Sequence, residues 1–211
     1  MFKKHHCRYK RIRRRPKGKC DQDLYQLKKE ALLLLEQQCE KGHIDLFYGD
    51  ESRVCEEGYV PYGWQFKGEE VFIEVAKGRG INCFALLSRN NKLICRLTEQ
   101  SIDAGFIVEE LEQLSLNIGK QTVVVLDNAS VHTAQKVREC LQTWQQRGLY
   151  IFYLPPYSPH LNLAERLWKE LKARWLRPQD YSCADSLFYQ TKLIMNAIGK
   201  TLFIKFAKPN I

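Results

Sequence analysis

The 211-residue chain is expected to fold as an α/β protein, a mixed sheet with helices on its faces. Three observations predict this. Short β-favouring runs such as "INCFALLS" and "TVVVLD" are bounded by Gly, Asn or Pro. The early runs follow one another through short turns, which makes antiparallel neighbours, whereas the later ones are separated by segments with apolar residues at helical spacing, which makes parallel ones. The length suffices for one sizeable domain.

The elements follow in order. Asp21 to Glu40 predicts a helix with Leu24, Leu27, Ala31, Leu34 and Leu35 on its apolar side and Gly42 past its end. "IDLFYGD", Ile44 to Asp50, predicts a short strand ending on an acid. "YGWQFKG" and "EVFIEVAKG" suggest a second strand with turn signals. "INCFALLS" and "KLICRLTE" form a hairpin around Arg89, Asn90 and Asn91. Ser101 can cap a helix carrying Ile102, Phe106, Ile107, Leu111 and Leu114. The strand Thr122 to Asp127 leads into a helix with Val131, Ala134, Val137, Leu141 and Trp144, closed by Gly148. "LYIFYL" is a further strand, broken by "PPYSPH". A helix spans 163–175, and Ser182 with Asp185 forms a capping box for a last helix bearing Leu187, Thr191, Ile194 and Ile198.

Charge is unevenly placed. The formal net charge is +9, yet residues 1–20 alone hold ten Lys or Arg and no acid, so the remainder nets −1. A basic arm on a near-neutral body suits a polyanion, with nucleic acid the leading partner, although a solvated tail explains the run as well. The eight cysteines show no CxxC spacing, and neither a secretory segment nor a membrane-length apolar run stands out, which points to a reducing intracellular compartment.

Asp50 and Asp127 each close an apolar strand, at the edge where ligands gather in layered α/β sheets. In "SPHLNLAERLWKELK", Asn162 can cap a helix with Glu165 at its third position and Lys169 as an i,i+4 partner, a purely structural account of that glutamate. The alternative places Glu165 beside the two aspartates. Close carboxylates repel unless a cation neutralises them, and oxygen-only ligands suit Mg²⁺ or Mn²⁺. Two such ions can drive phosphoryl transfer, for which the basic arm supplies the phosphate.

"FYGDES", "YGWQFKG", "VVVLDNASVH" and "YLPPYSPHLNLAERLWKELK" resemble the catalytic domain of insertion-sequence transposases of the mariner-related superfamily, over roughly residues 20–195. The resemblance implies a ribonuclease H-like mixed five-stranded sheet with helices on both faces. It implies Asp50, Asp127 and Glu165 as catalytic metal ligands, Mg²⁺ with Mn²⁺ as substitute, and two ions. It further implies double-stranded DNA (transposon ends and target) as substrate, a homodimer, and a bacterial cytoplasm in association with the nucleoid. The chain then divides into a basic arm (1–20), a linker helix (21–43), the catalytic domain (44–199) and a tail (200–211). Leu163 stands where the family commonly has proline. Helix-turn-helix modules usually precede this domain, whereas about 43 residues precede the first strand here, so the expectation is a separate helix-turn-helix polypeptide, or else a decayed copy.

Arg11, Arg13, Arg14 and Arg15 are candidate DNA contacts, as are Lys67, Asn128 and His132. For His132 a partly buried or capping role is equally consistent, and Asn128 can simply shape a turn. Trp64 is either a base-stacking platform or core. Glu51 is expected as a salt-bridge or turn residue, and Trp168 and Trp175 as packing that holds Glu165.

Overall fold

A computed structural model describes residues 21–56 and 78–207. The arm with its four candidate arginines, and the segment holding Trp64, Lys67 and the second expected strand, lie outside the described residues.

Helix α1 (Gln22–Glu40) leads into strand β1 (Asp45–Cys55), followed by β2 (Gly80–Leu87), β3 (Leu93–Thr98), α2 (Ala104–Asn117), β4 (Thr122–Leu126), α3 (Gln135–Gln146), β5 (Leu149–Tyr153), α4 (Ala164–Glu170) and α5 (Ala184–Ala197). The sheet order is β3-β2-β1-β4-β5. The first three strands pair antiparallel, while β1–β4 and β4–β5 pair parallel, as the connections predict. Leu167, Trp168, Leu171 and Leu187 fill one face with α4 and α5; Ile107, Leu111, Val137 and Trp144 fill the other with α2 and α3. Side chains alternate across a strand, so successive residues of β1 serve opposite faces.

Several boundaries differ from expectation for physical reasons. β1 does not end at Asp50; β2 pairs with it as far as Cys55, so five further residues stay extended. α2 is capped by Asp103, whose carboxylate accepts from Phe106 N at 2.9 Å, and not by Ser101. α3 starts at Gln135, after a turn in which Ala129 O accepts from His132 N and Thr133 N; Val131 and Ala134 therefore precede the helix. The 163–175 segment is α-helical only to Glu170; Leu171–Trp175 is a π-helical turn closed by Leu176 N donating to Leu171 O at 2.9 Å. The Ser182–Asp185 box does not form, because Asp185 pairs with Arg79 at 3.1 Å.

α1 buries another stripe than its leucines suggest. Leu27 and Leu34 are 64% and 60% exposed, whereas Leu32 and Glu36 are buried. Glu36 is drawn inward by the Tyr48 hydroxyl and by Arg89, whose two nitrogens donate to it at 2.7 Å. A buried carboxylate is tolerated when so paired. The hairpin forms as expected, with Asn91 at φ 63, and Gly42 and Gly148 end α1 and α3 at φ 77 and 93.

Candidate active site

The parallel β1–β4 register pairs Asp45 with Thr122 and Tyr48 with Val125, a constant offset of 77 positions. β4 then ends at Leu126 while β1 continues. Carried two places on, the same offset sets Asp50 level with Asp127, the first residue past β4. The opening between the two acids exists because one strand stops where its neighbour does not.

Gly49 makes the crowding before Asp50 possible. A Cβ there would lie 2.5 Å from Leu126 Cδ2 and 2.9 Å from Leu86 Cδ2. Its carbonyl accepts from the buried Asn162 Nδ2 at 2.9 Å, and Asn162 Oδ1 accepts from Ala164 N at 3.0 Å. Asn162 thus ties the start of α4 to β1 beside Asp50. Leu163 already has helical backbone, so Asn162 sits one place earlier than the expected N-cap although its side chain supplies the cap bond.

Each aspartate is held by one oxygen. Trp168 Nε1 donates to Asp50 Oδ2 at 2.9 Å. Asp127 Oδ1 accepts from Ala129 N at 2.9 Å and His132 Nδ1 at 2.8 Å, leaving Oδ2 open among the described residues. Trp168, expected only as packing, therefore also orients an acid. His132 is fully buried. It does not present itself to DNA, and the buried account is the one that holds. Its Nε2 lies 2.9 Å from Glu51 Oε1. The ring N–H is not aimed along that line, so the approach is an ion pair rather than a directed hydrogen bond. Glu51 is thereby the salt-bridge residue expected. Asn128 Nδ2 donates to Leu154 O and so joins the ends of β4 and β5. Lys172, unremarked in the sequence, donates to Ser52 Oγ at 2.6 Å on the Asp50 face.

The acids sense one another. Burial, then the charge of Glu165, pushes Asp50 up to about 7. Burial, then the charge of Asp127, raises Glu165. Asp127 is lowered, chiefly by its bond from His132. Burial alone would depress the imidazole, but Asp127 and Glu51 outweigh it and hold His132 at about 9. Burial lowers the Lys172 ammonium against the pull of nearby anions, Asp50 and Glu165 included. Among the described residues, no three His, Cys, Asp or Glu side chains are already gathered into a set able to hold a metal ion. A pre-closed ion trap is therefore absent; three oxygen donors bound one opening, with their repulsion unrelieved.

An open groove of about 1100 Å³ begins at Glu165 and passes Arg166, Lys169, His160 and Lys205. Arg166 is paired with the buried Glu170 at 2.7 Å, whereas Lys169 and Lys205 are exposed.

This sheet, with carboxylates at one edge, defines the ribonuclease H-like architecture of transposase catalytic domains. Residues 45–188 match the DDE superfamily endonucleases, and the chain belongs to that family. It is 24% identical over 167 residues to the insertion element IS630 uncharacterized 39 kDa protein of Shigella sonnei, covering 77% of this chain and 47% of that one; it spans about half the length of this relative. Among solved structures it resembles the Mos1 transposase paired-end complex with left transposon end (TM-score 0.59, 16% identity, 92% of this chain and 61% of that one). It also resembles the Mos1 transposase catalytic domain with Raltegravir and Mn (TM-score 0.54, 16% identity, 86% of each chain). Among the described residues no helix is long and apolar enough to cross a membrane.

Proposed function

We propose that this chain is the catalytic domain of a DNA transposase, with Asp50, Asp127 and Glu165 as its metal-binding and catalytic acids. The observation that carries this reading is the β1–β4 register, which sets Asp50 level with Asp127 at an edge that Glu165 also charges. The donor set fits a hard divalent cation: oxygen ligands only, one aspartate oxygen open, and raised acids that a cation would relieve. Bare carboxylates repel, which explains why the set stands apart until neutralised. When bound there, Mg²⁺, with Mn²⁺ as substitute and two ions in the complete site, supplies neutralisation of the acids and polarisation of the phosphate. Solved Mos1 paired-end complexes with Mn and with Mg support the choice of ions.

The chain's own groups divide the remaining work. Trp168 and His132 fix the two aspartates, and Asn162 fixes the helix that carries Glu165. Lys169 and Lys205 offer phosphate contacts along the groove, and Arg11, Arg13, Arg14 and Arg15 in the arm add sequence-independent affinity, with Lys67 a further contact. Water breaks a P–O bond at the transposon end and frees a 3′-hydroxyl; that hydroxyl then displaces a 3′-oxygen in target DNA. Both are in-line displacements at phosphorus, so one site serves both. A homodimer bridging two ends, in a bacterial cytoplasm, is the assembly proposed.

The test supplies duplexes carrying element ends, target DNA and Mg²⁺. Wild type nicks and yields joined products; Asp127→Asn binds DNA but does not nick. Equal nicking by the two proteins would sink the assignment, and nicking without joining would reduce it to a structure-selective nuclease. Removing residues 1–20 should weaken binding and flatten its salt dependence, and an unchanged slope counts against the arm.

A further inference from the structure

We infer that His132 is a positioning residue: clamped by Glu51, it pins one oxygen of Asp127 and so aims the other at the site. The inference rests on the metal-site reading above and adds a role that neither the motif nor the triad contains.

Four observations converge on the ring. His132 has no exposed surface, and both its nitrogens face carboxylates, Nδ1 at 2.8 Å from Asp127 Oδ1 and Nε2 at 2.9 Å from Glu51 Oε1. Its own backbone is fixed, because its carbonyl accepts from the Tyr153 hydroxyl at 2.9 Å. Asp127 Oδ1 takes a second donor, Ala129 N, so rotation of that carboxylate breaks two bonds together. Glu51 is the chain neighbour of Asp50, and alternation along β1 sends the two side chains to opposite faces. One ring therefore ties the strand carrying Asp50 to the side chain of Asp127. With Oδ1 occupied twice, Asp127 has Oδ2 alone to offer an ion.

A merely structural histidine would need one acceptor, and its loss would lower stability without a particular effect on ion affinity. Removing this one leaves Glu51 and Asp127 facing each other with no cation between them and frees Asp127 to turn. Partners of metal ligands commonly carry about 10-fold or more in affinity.

The experiment measures Mn²⁺ binding by the electron paramagnetic resonance of free Mn²⁺, with the full chain and no DNA, alongside melting temperature in metal-free buffer. The variants are Glu51→Gln, His132→Asn, their combination, and Asp127→Asn as the floor. Glu51→Gln keeps side-chain volume at a 22% exposed position, so it isolates the clamp from folding. His132→Asn should weaken Mn²⁺ binding about 10-fold, Glu51→Gln less, and the double variant no more than His132→Asn, because Glu51 acts through the ring. Wild-type affinity in His132→Asn and Glu51→Gln, or losses that multiply in the double variant, would overturn the clamp while the metal site stands. Wild type that binds no Mn²⁺, or binds it no better than Asp127→Asn, would overturn the metal reading and the clamp with it.

Discussion

Asp50 and Asp127 are level on neighbouring strands, yet their surroundings treat them in opposite ways. Asp50 sits under α4, held by a neutral indole and burdened by the charge of Glu165, and it is pushed up to about 7. Asp127 lies at the turn before α3, held by an imidazole at about 9, and it is lowered. Two like acids brought to one opening cannot both be comfortable without a cation. Here the strain falls on the Asp50 side, and His132 relieves the Asp127 side.

The largest effect that would break this comparison comes from neutralising each acid. Asp50→Asn and Asp127→Asn should both reduce DNA nicking by more than the roughly 100-fold that losing a ligand's partner can cost. In metal-free buffer their stabilities should move in opposite directions. Asp50 has a folded pKa above its unfolded value, so its charge costs stability increasingly as pH rises from about 4 to about 7. Asp50→Asn should therefore raise the melting temperature at pH 8 and change it little at pH 4. Asp127 has a lowered folded pKa, so its contribution is present at neutral pH and lost as pH falls through that value. Asp127→Asn should lower the melting temperature at pH 8, with the loss fading in acid. Shifts of the same sign at pH 8 would erase the distinction.

A smaller effect sharpens it. Trp168→Phe keeps the ring packing but removes the donor to Asp50, at a cost of roughly 1.5–3 kcal/mol for a bond to a charged acceptor. Since the bond favours the ionised acid, the loss should appear above the Asp50 pKa and shrink below it, as urea melts at pH 8 and pH 5 would reveal. The smallest effect lies on the Asp127 face, away from both acids. Asp103→Ala should cost about 1 kcal/mol through the lost α2 cap, whereas Ser101→Ala should stay within about 0.5 kcal/mol. The same melts decide which residue caps the helix.

The order of strands and helices was legible because each depends on neighbours in sequence. The turn glycines at 42 and 148, the hairpin at Asn91 and the alternating apolar runs all carry their reasons locally. What escaped depends on partners far along the chain. Nothing around Glu36 announces that Arg89 and Tyr48 will bury it, and so the leucines of α1 were assigned to the wrong side. The length of β1 was set by β2, not by its own residues. In the candidate site the acids themselves were legible as charges closing apolar runs. Their anchors were not: Trp168 has the look of core, and the burial of His132 follows from two carboxylates 76 positions apart that only the register brings together.

The π-helical turn after α4 carries a consequence of its own. Such a turn is an ordinary helical one with a single residue spliced in, and a helix advances about 100° per residue. Excising one residue between Lys172 and Arg174 would let the coil close tightly, but everything downstream would be out of phase by that angle. Trp175 and Leu176 would swing away from the pocket they now fill beneath the sheet. The surplus residue acts as a phase setter between the arm of the molecule that carries Glu165 and the one that seals the core, and a length change there should be felt at the acids without any of them being touched.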